Sequence, residues 1–138
     1  MTKPLNLRSL SKACRELARY HAEFAIVHEL YGTPPLWDRD PGFATLLQII
    51  LEQQVSLASA NACFDKLTAH LGRVTPERLL TLDDTTLKTI GFSRQKTSYA
   101  RHLSEAILEG RIDVDSLHLL DDIAVKAELI KLKGIGEW

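Results

Sequence analysis

The sequence predicts an all-α fold, an orthogonal array of short helices, on three observations. Apolar residues recur at three- and four-residue spacings along most of the chain. No alternating apolar–polar run reaches useful strand length. The 7 glycines and 5 prolines fall at the ends of the periodic stretches, beside Ser, Thr and Asp residues suited to capping.

Size and composition fit that reading. A chain of 138 residues with 45% hydrophobic and 25% charged residues can bury a core and lies far from disordered compositions. Net charge is −1, and from Gln95 to Trp138 there are six Lys/Arg against eight Asp/Glu. No basic tail is offered to nucleic acid, so any such contact must rest on local geometry. Cys14 and Cys63 lie far apart on apolar stripes and are expected to be reduced, buried thiols. Neither they nor His21, His28, His70, His102 and His118 show metal-ligand or triad spacing. The start lacks a signal-peptide core, and no apolar run approaches membrane length, so a soluble intracellular protein is expected.

Each element then follows in order. Leu10, Cys14, Leu17, His21 and Phe24 share a helical stripe, giving one or two helices from about Ser9 to Leu30, ended by Gly32. Thr33-Pro34-Pro35 forces an extended arm. Residues 1–37 are therefore expected to form N-terminal helices and an arm, with the main domain over 38–138. Asp40-Pro41 reads as an N-cap and first turn for a central apolar helix from Phe43 to about Gln53, burying Phe43, Leu46, Leu47, Ile50 and Leu51. Ser56 caps a helix to Leu71, with Leu57, Ala60, Phe64, Leu67 and Leu71 inward and Gly72 as its stop. Thr75-Pro76 caps a short helix through Leu80, and Asp83 or Asp84 caps another that Gly91 ends. Ser93 caps a helix to about Glu109. Asp121 or Asp122 starts the last one, Ile123 to Leu132.

That helix runs into Lys133-Gly134-Ile135-Gly136-Glu137-Trp138. Two glycines around one aliphatic residue make a tight turn, with Ile135 plugged inward and the amides from Gly134 to Trp138 directed out. Amides at the start of a following helix would favour an anion. This is the form of a helix-hairpin-helix phosphate clamp, although the chain ends at Trp138, before a second helix.

Three segments together resemble the helix-hairpin-helix DNA glycosylase superfamily. They are Gly42-Phe43 to Leu51-Glu52-Gln53-Gln54-Val55-Ser56, then Leu87 to Gly91-Phe92-Ser93-Arg94-Gln95-Lys96, then Leu129 to Trp138. Their order and intervals are most similar to the 3-methyladenine DNA glycosylase II branch. The resemblance implies removal of alkylated purines from double-stranded DNA by N-glycosidic hydrolysis, after the nucleotide is flipped out of the duplex. It implies that Gly134, Ile135 and Gly136 hold a backbone phosphate, through a monovalent cation bound at the Gly134 and Gly136 backbone, with Lys133 in reach of a phosphate. It implies that Gln54 fills the gap left by the flipped base and that Trp138 lines the pocket for an electron-poor base. For Gln53, simple capping of helix-end carbonyls is the preferred reading. The plain alternative for the hairpin is a helix C-cap; for Trp138 it is a core anchor.

Members that also cut the strand carry a Schiff-base lysine two residues after the second glycine. Trp138 stands there, which implies base removal without a lyase step. The family's catalytic aspartate follows the second hairpin helix, and Asp113, Asp115, Asp121 and Asp122 read as loop residues and N-caps. No catalytic residue is expected within this chain, which as written should not turn over. No organic cofactor, a monomer and a cytoplasmic, bacterial-type setting at the nucleoid complete the expectation. A non-catalytic helix-hairpin-helix DNA-binding module is the competing reading.

Overall fold

In the computed structural model, which describes residues 5–137, the chain divides into two units, 1–39 and 40–138. In the first, α1 (Leu7–Tyr20) and α2 (Ala22–Tyr31) pack on each other. Asn6 and Ser9 open α1 with a reciprocal capping box: each backbone N–H donates to the other's side-chain oxygen at 2.9 Å. The expected stripe from Leu10 to Phe24 is interrupted at His21, whose extended backbone (φ −137, ψ 114) both ends α1 and starts α2. Neither helix buries a residue fully; Leu17 and Phe24 remain exposed and Cys14 is half-buried.

The second unit holds α3 (Phe43–Glu52), α4 (Leu57–Leu71), α5 (Pro76–Leu80), α6 (Asp84–Ile90), α7 (Arg94–Leu108) and α8 (Asp122–Leu129), with a 3-10 turn at Leu117–Leu119. All elements among the described residues are helical. Ser56, Thr75, Asp83, Ser93 and Asp121 each accept a backbone N–H three residues on, the local geometry that fixes a helix start. The Thr86 N–H bound to Asp83 holds that carboxyl below its ordinary range, which favours the capping form.

Asp40 does not cap α3. Gly42 does, with φ +117 turning the chain into the helix, and its carbonyl accepts the Leu46 N–H at 3.2 Å. Phe43, Leu47, Ile50 and Leu51 are buried as expected of a central helix, and α3 packs on both α4 and α7. Leu57, expected inside, is 63% exposed, because the first residue of α4 lies off the face that carries Ala60 and Leu67. The core is completed by Leu79, Leu87, Ile90, Phe92, Ala100, Leu103 and Ala106.

The last helix is shorter than its pattern. α8 ends at Leu129, and the Lys131 and Leu132 N–H groups bond to Glu128 and Leu129, a three-residue closure that tightens the final turn. This rotation buries Leu132, while Ile123 stays exposed. No helix among the described residues is long and apolar enough to cross a membrane.

Candidate nucleic-acid interface

The hairpin leaves α8 through Leu132 and turns at Gly134, whose φ is +90. Only this one of the two glycines is required by the chain path. A Cβ added to Gly134 would be built into the ring of Tyr99, whereas one added to Gly136 meets nothing within 4 Å among the described residues. Gly136 is exposed and its φ is not left-handed. The sequence-based expectation that both glycines serve the turn is thus corrected: the fold explains Gly134 and leaves Gly136 unexplained.

The amides are also not all outward. The Ile135 N–H donates to the Leu132 carbonyl at 3.1 Å, so it is spent within the hairpin, and Ile135 packs half-buried against the core. The N–H groups of Gly134, Gly136 and Glu137 make no hydrogen bond among the described residues. Trp138, the expected pocket residue, lies outside the described residues.

Three ties hold the hairpin, and each comes from far away in the chain. Gln53 Nε2 donates to the Gly134 carbonyl at 2.9 Å, across 81 residues. Gln53 does cap a carbonyl, as read from the sequence, but the hairpin's and not its own helix's. The Lys133 N–H donates to His102 Nδ1 at 3.1 Å. Because a backbone amide can only donate, Nδ1 offers its lone pair there. Tyr99 forms the floor beneath Gly134, with Gln95 Nε2 donating to its hydroxyl. None of these three contacts has a local sequence signal.

Gln54 follows Gln53, whose side chain reaches the hairpin. It is exposed, makes no hydrogen bond among the described residues, and has φ +58, the only left-handed non-glycine residue among them. Such backbone costs an L-residue roughly 1–2 kcal/mol. Lys96 supports the turn from below: its Nζ donates to the Leu51 carbonyl at 2.6 Å, in the last turn of α3. Lys133 is exposed beside the hairpin.

Two of the carboxylates before the hairpin and one thiol are held by local structure. Asp113 accepts the N–H groups of Asp115 and Ser116 in a loop turn, and Asp121 caps α8. Burial pushes the Cys63 thiol up, against the smaller lowering pull of Lys96 and Lys66, which keeps it protonated. Among the described residues no cluster of His, Cys, Asp and Glu could hold a metal.

Comparison with known proteins now decides the family. Residues 47–138 match the profile of the HhH-GPD superfamily base excision DNA repair proteins. The chain belongs to that superfamily. Its HhH-GPD region includes the Gln53-Gln54 turn, α7 and the hairpin. The Bacillus subtilis (strain 168) protein YfjP, a candidate DNA-3-methyladenine glycosylase, is 29% identical over 83% of this chain and 42% of its own length. The DNA-3-methyladenine glycosidase of Bacillus halodurans is similar in structure, with a TM-score of 0.74 and 29% identity over 88% of this chain and 57% of that one. The Schizosaccharomyces pombe 3-methyladenine DNA glycosylase Mag1, solved with abasic DNA, has a TM-score of 0.82 and 25% identity, covering 92% of this chain and 65% of Mag1. The chain therefore spans about half the length of the relatives it matches. These HhH-GPD relatives fit the 3-methyladenine glycosylase branch read from the motifs.

Proposed function

We propose that this HhH-GPD chain serves base excision repair as the DNA-holding part of a 3-methyladenine-type glycosylase, which removes alkylated purines by N-glycosidic hydrolysis after base flipping. Its setting is a cytoplasmic, monomeric protein acting on the nucleoid. Gly134, Ile135, Gly136 and Lys133 form the strand clamp, Gln54 is the wedge, and Trp138 lines the base pocket. The carboxylate that drives cleavage is assigned to no residue between Leu5 and Glu137. Among the described residues the Gly134 carbonyl accepts one hydrogen bond and the Gly136 carbonyl none, so both keep lone pairs for a monovalent cation, which takes neutral oxygens. Bound there, it would supply positive charge toward a phosphate.

The observation that carries the reading is Gly136: a glycine that no described contact or backbone angle requires, whose own N–H and that of Glu137 are unspent among the described residues. A missing Cβ that serves no protein contact leaves room for a ligand to reach the backbone. Each hydrogen bond to a charged group contributes roughly 1.5–3 kcal/mol. Two of them offset the few kcal/mol that flipping costs.

Gly136→Val tests this. Binding to an abasic duplex should weaken at least about tenfold, with thermal stability unchanged to within about 0.5 kcal/mol. Undiminished binding by a folded variant would remove the clamp.

The exposed, strained Gln54 favours a glycosylase over a plain DNA-binding module, because a phosphate clamp alone needs no wedge. Gln54→Gly relieves the left-handed backbone and should stabilise the fold by about 0.5–1 kcal/mol. It should nevertheless weaken binding to abasic duplex more than to intact duplex. Equal losses on the two would return the chain to the module reading.

A further inference from the structure

A groove of ≈ 870 Å³ runs along the outer face of α6 and α7 and reaches Lys133 beside the hairpin. Its α7 wall is one helical face, Arg94, Thr97, Ser98, Arg101 and Glu105, at the spacing that aligns side chains. We infer that this groove binds the phosphodiester backbone of a DNA strand as a second anion site continuous with the hairpin, an inference that rests on the DNA-binding reading above.

Charge comes first. The whole chain is net −1, yet the groove is lined by four Lys/Arg against two acidic residues. Arg101 is spent: it holds Asp84 at 2.6 Å and the Leu82 carbonyl at 2.8 Å. That pair also removes Asp84 as a repulsive charge. Lys88, Arg94 and Lys133 form no ion pair or side-chain hydrogen bond among the described residues, and Glu105 alone opposes them. Three unpaired cations around one concavity raise the local potential for an anion well above that of the mean surface.

Thr97 is the independent observation. It is 7% exposed, lines the groove, and its hydroxyl has no partner among the described residues. Thr68, Thr89 and Ser104 instead return their hydroxyls to the carbonyl four residues back. Among the described residues no side-chain oxygen lacking a partner is fully sealed from solvent, so the Thr97 Oγ1 opens to the groove that Thr97 lines. An unspent donor set at the base of a cationic groove is what a phosphate oxygen needs.

Continuity selects a strand over a free phosphate. Lys133 belongs to both sites, and its backbone N–H is fixed by His102, which also lines the groove. A strand held at Gly136 therefore has its next cationic contacts in place, while a small anion would have no use for cations spread along α6 and α7.

The test measures duplex affinity of the full chain across a salt series, where each phosphate contact contributes a slope of about −0.9 in log K against log salt. The double variant Lys88→Ala/Arg94→Ala should reduce the magnitude of the slope by about 1.8, and Lys88→Arg/Arg94→Lys should restore it. Both residues are exposed without partners, so the fold is not at stake. Thr97→Val should weaken binding a few-fold with no change of slope. The matched pair Lys66→Ala/Arg73→Ala, exposed outside the groove, should change nothing. An unchanged slope in the first double variant, or an equal fall in the matched pair, overturns the groove. So does an equal loss of affinity for inorganic phosphate as the only effect. Failure of the unaltered chain to bind duplex at all overturns the DNA reading itself, which separates the two outcomes.

Discussion

Gly134→Ala should unfold the hairpin and cost the protein about 2–5 kcal/mol, the sum of two penalties. The first is backbone: at φ +90 an L-side chain is strained by roughly 1–2 kcal/mol. The second is steric, because the new methyl would be built into the Tyr99 ring, and overpacking of a set interior costs about 1–3 kcal/mol. Total stabilities of small domains are of order 5–15 kcal/mol, so this is a large share. Chemical denaturation measures it. The two parts separate in a double-mutant cycle with Tyr99→Ala, which should recover the steric part and leave the backbone part. A cycle without coupling would mean that the hairpin and α7 do not touch as described. Gly136→Val provides the contrast, since a Cβ on the second glycine meets nothing among the described residues.

Lys96→Met should cost about 2 kcal/mol, because it deletes a hydrogen bond from a charged donor while keeping the aliphatic stem. The Leu51 carbonyl belongs to the last turn of α3, where acceptors lack helical partners and the helix dipole favours a cation. Leu51 is itself 1% exposed, so water replaces the ammonium poorly. For a unit of about 100 residues the melting temperature should fall by roughly 8–16 °C. Lys96→Arg should recover part of that. A shift below about 2 °C would show that the carbonyl is satisfied without Lys96.

What could be read from the chain alone divides along a physical line. The five side-chain N-caps of the second unit were legible because a Ser, Thr or Asp oxygen and the N–H it accepts are three residues apart, whereas the Asn6 cap of α1 was missed. The burial of α3 was legible because its apolar residues crowd most sides. Asp40 misled as the cap because Asp-Pro is a good helix entry in general, whereas the left-handed Gly42 turns the chain into the helix, whose start at Phe43 was read correctly. α8 misled because its apolar spacing continues past the point where the chain tightens to bury Leu132. The hairpin was visible in its glycines, but its fastenings were not. Gln53, Tyr99 and His102 act on partners 31 to 81 residues away, and no spacing rule reports such pairs. The cationic groove was half-visible: Arg94, Thr97, Arg101 and Glu105 fall at helical spacing, whereas Lys88 and Lys133 join them only through tertiary packing.

The Gln53–Gly134 bond closes a loop of more than half the chain, and such closures are late events when a protein forms. A peptide cut from the α8–hairpin segment would carry every residue of the turn and none of its fastenings. Its glycines would sample many shapes, and the order that presents Gly136 would be lost. The order that presents Gly136 is in this sense a property of the whole second unit and not of the turn alone.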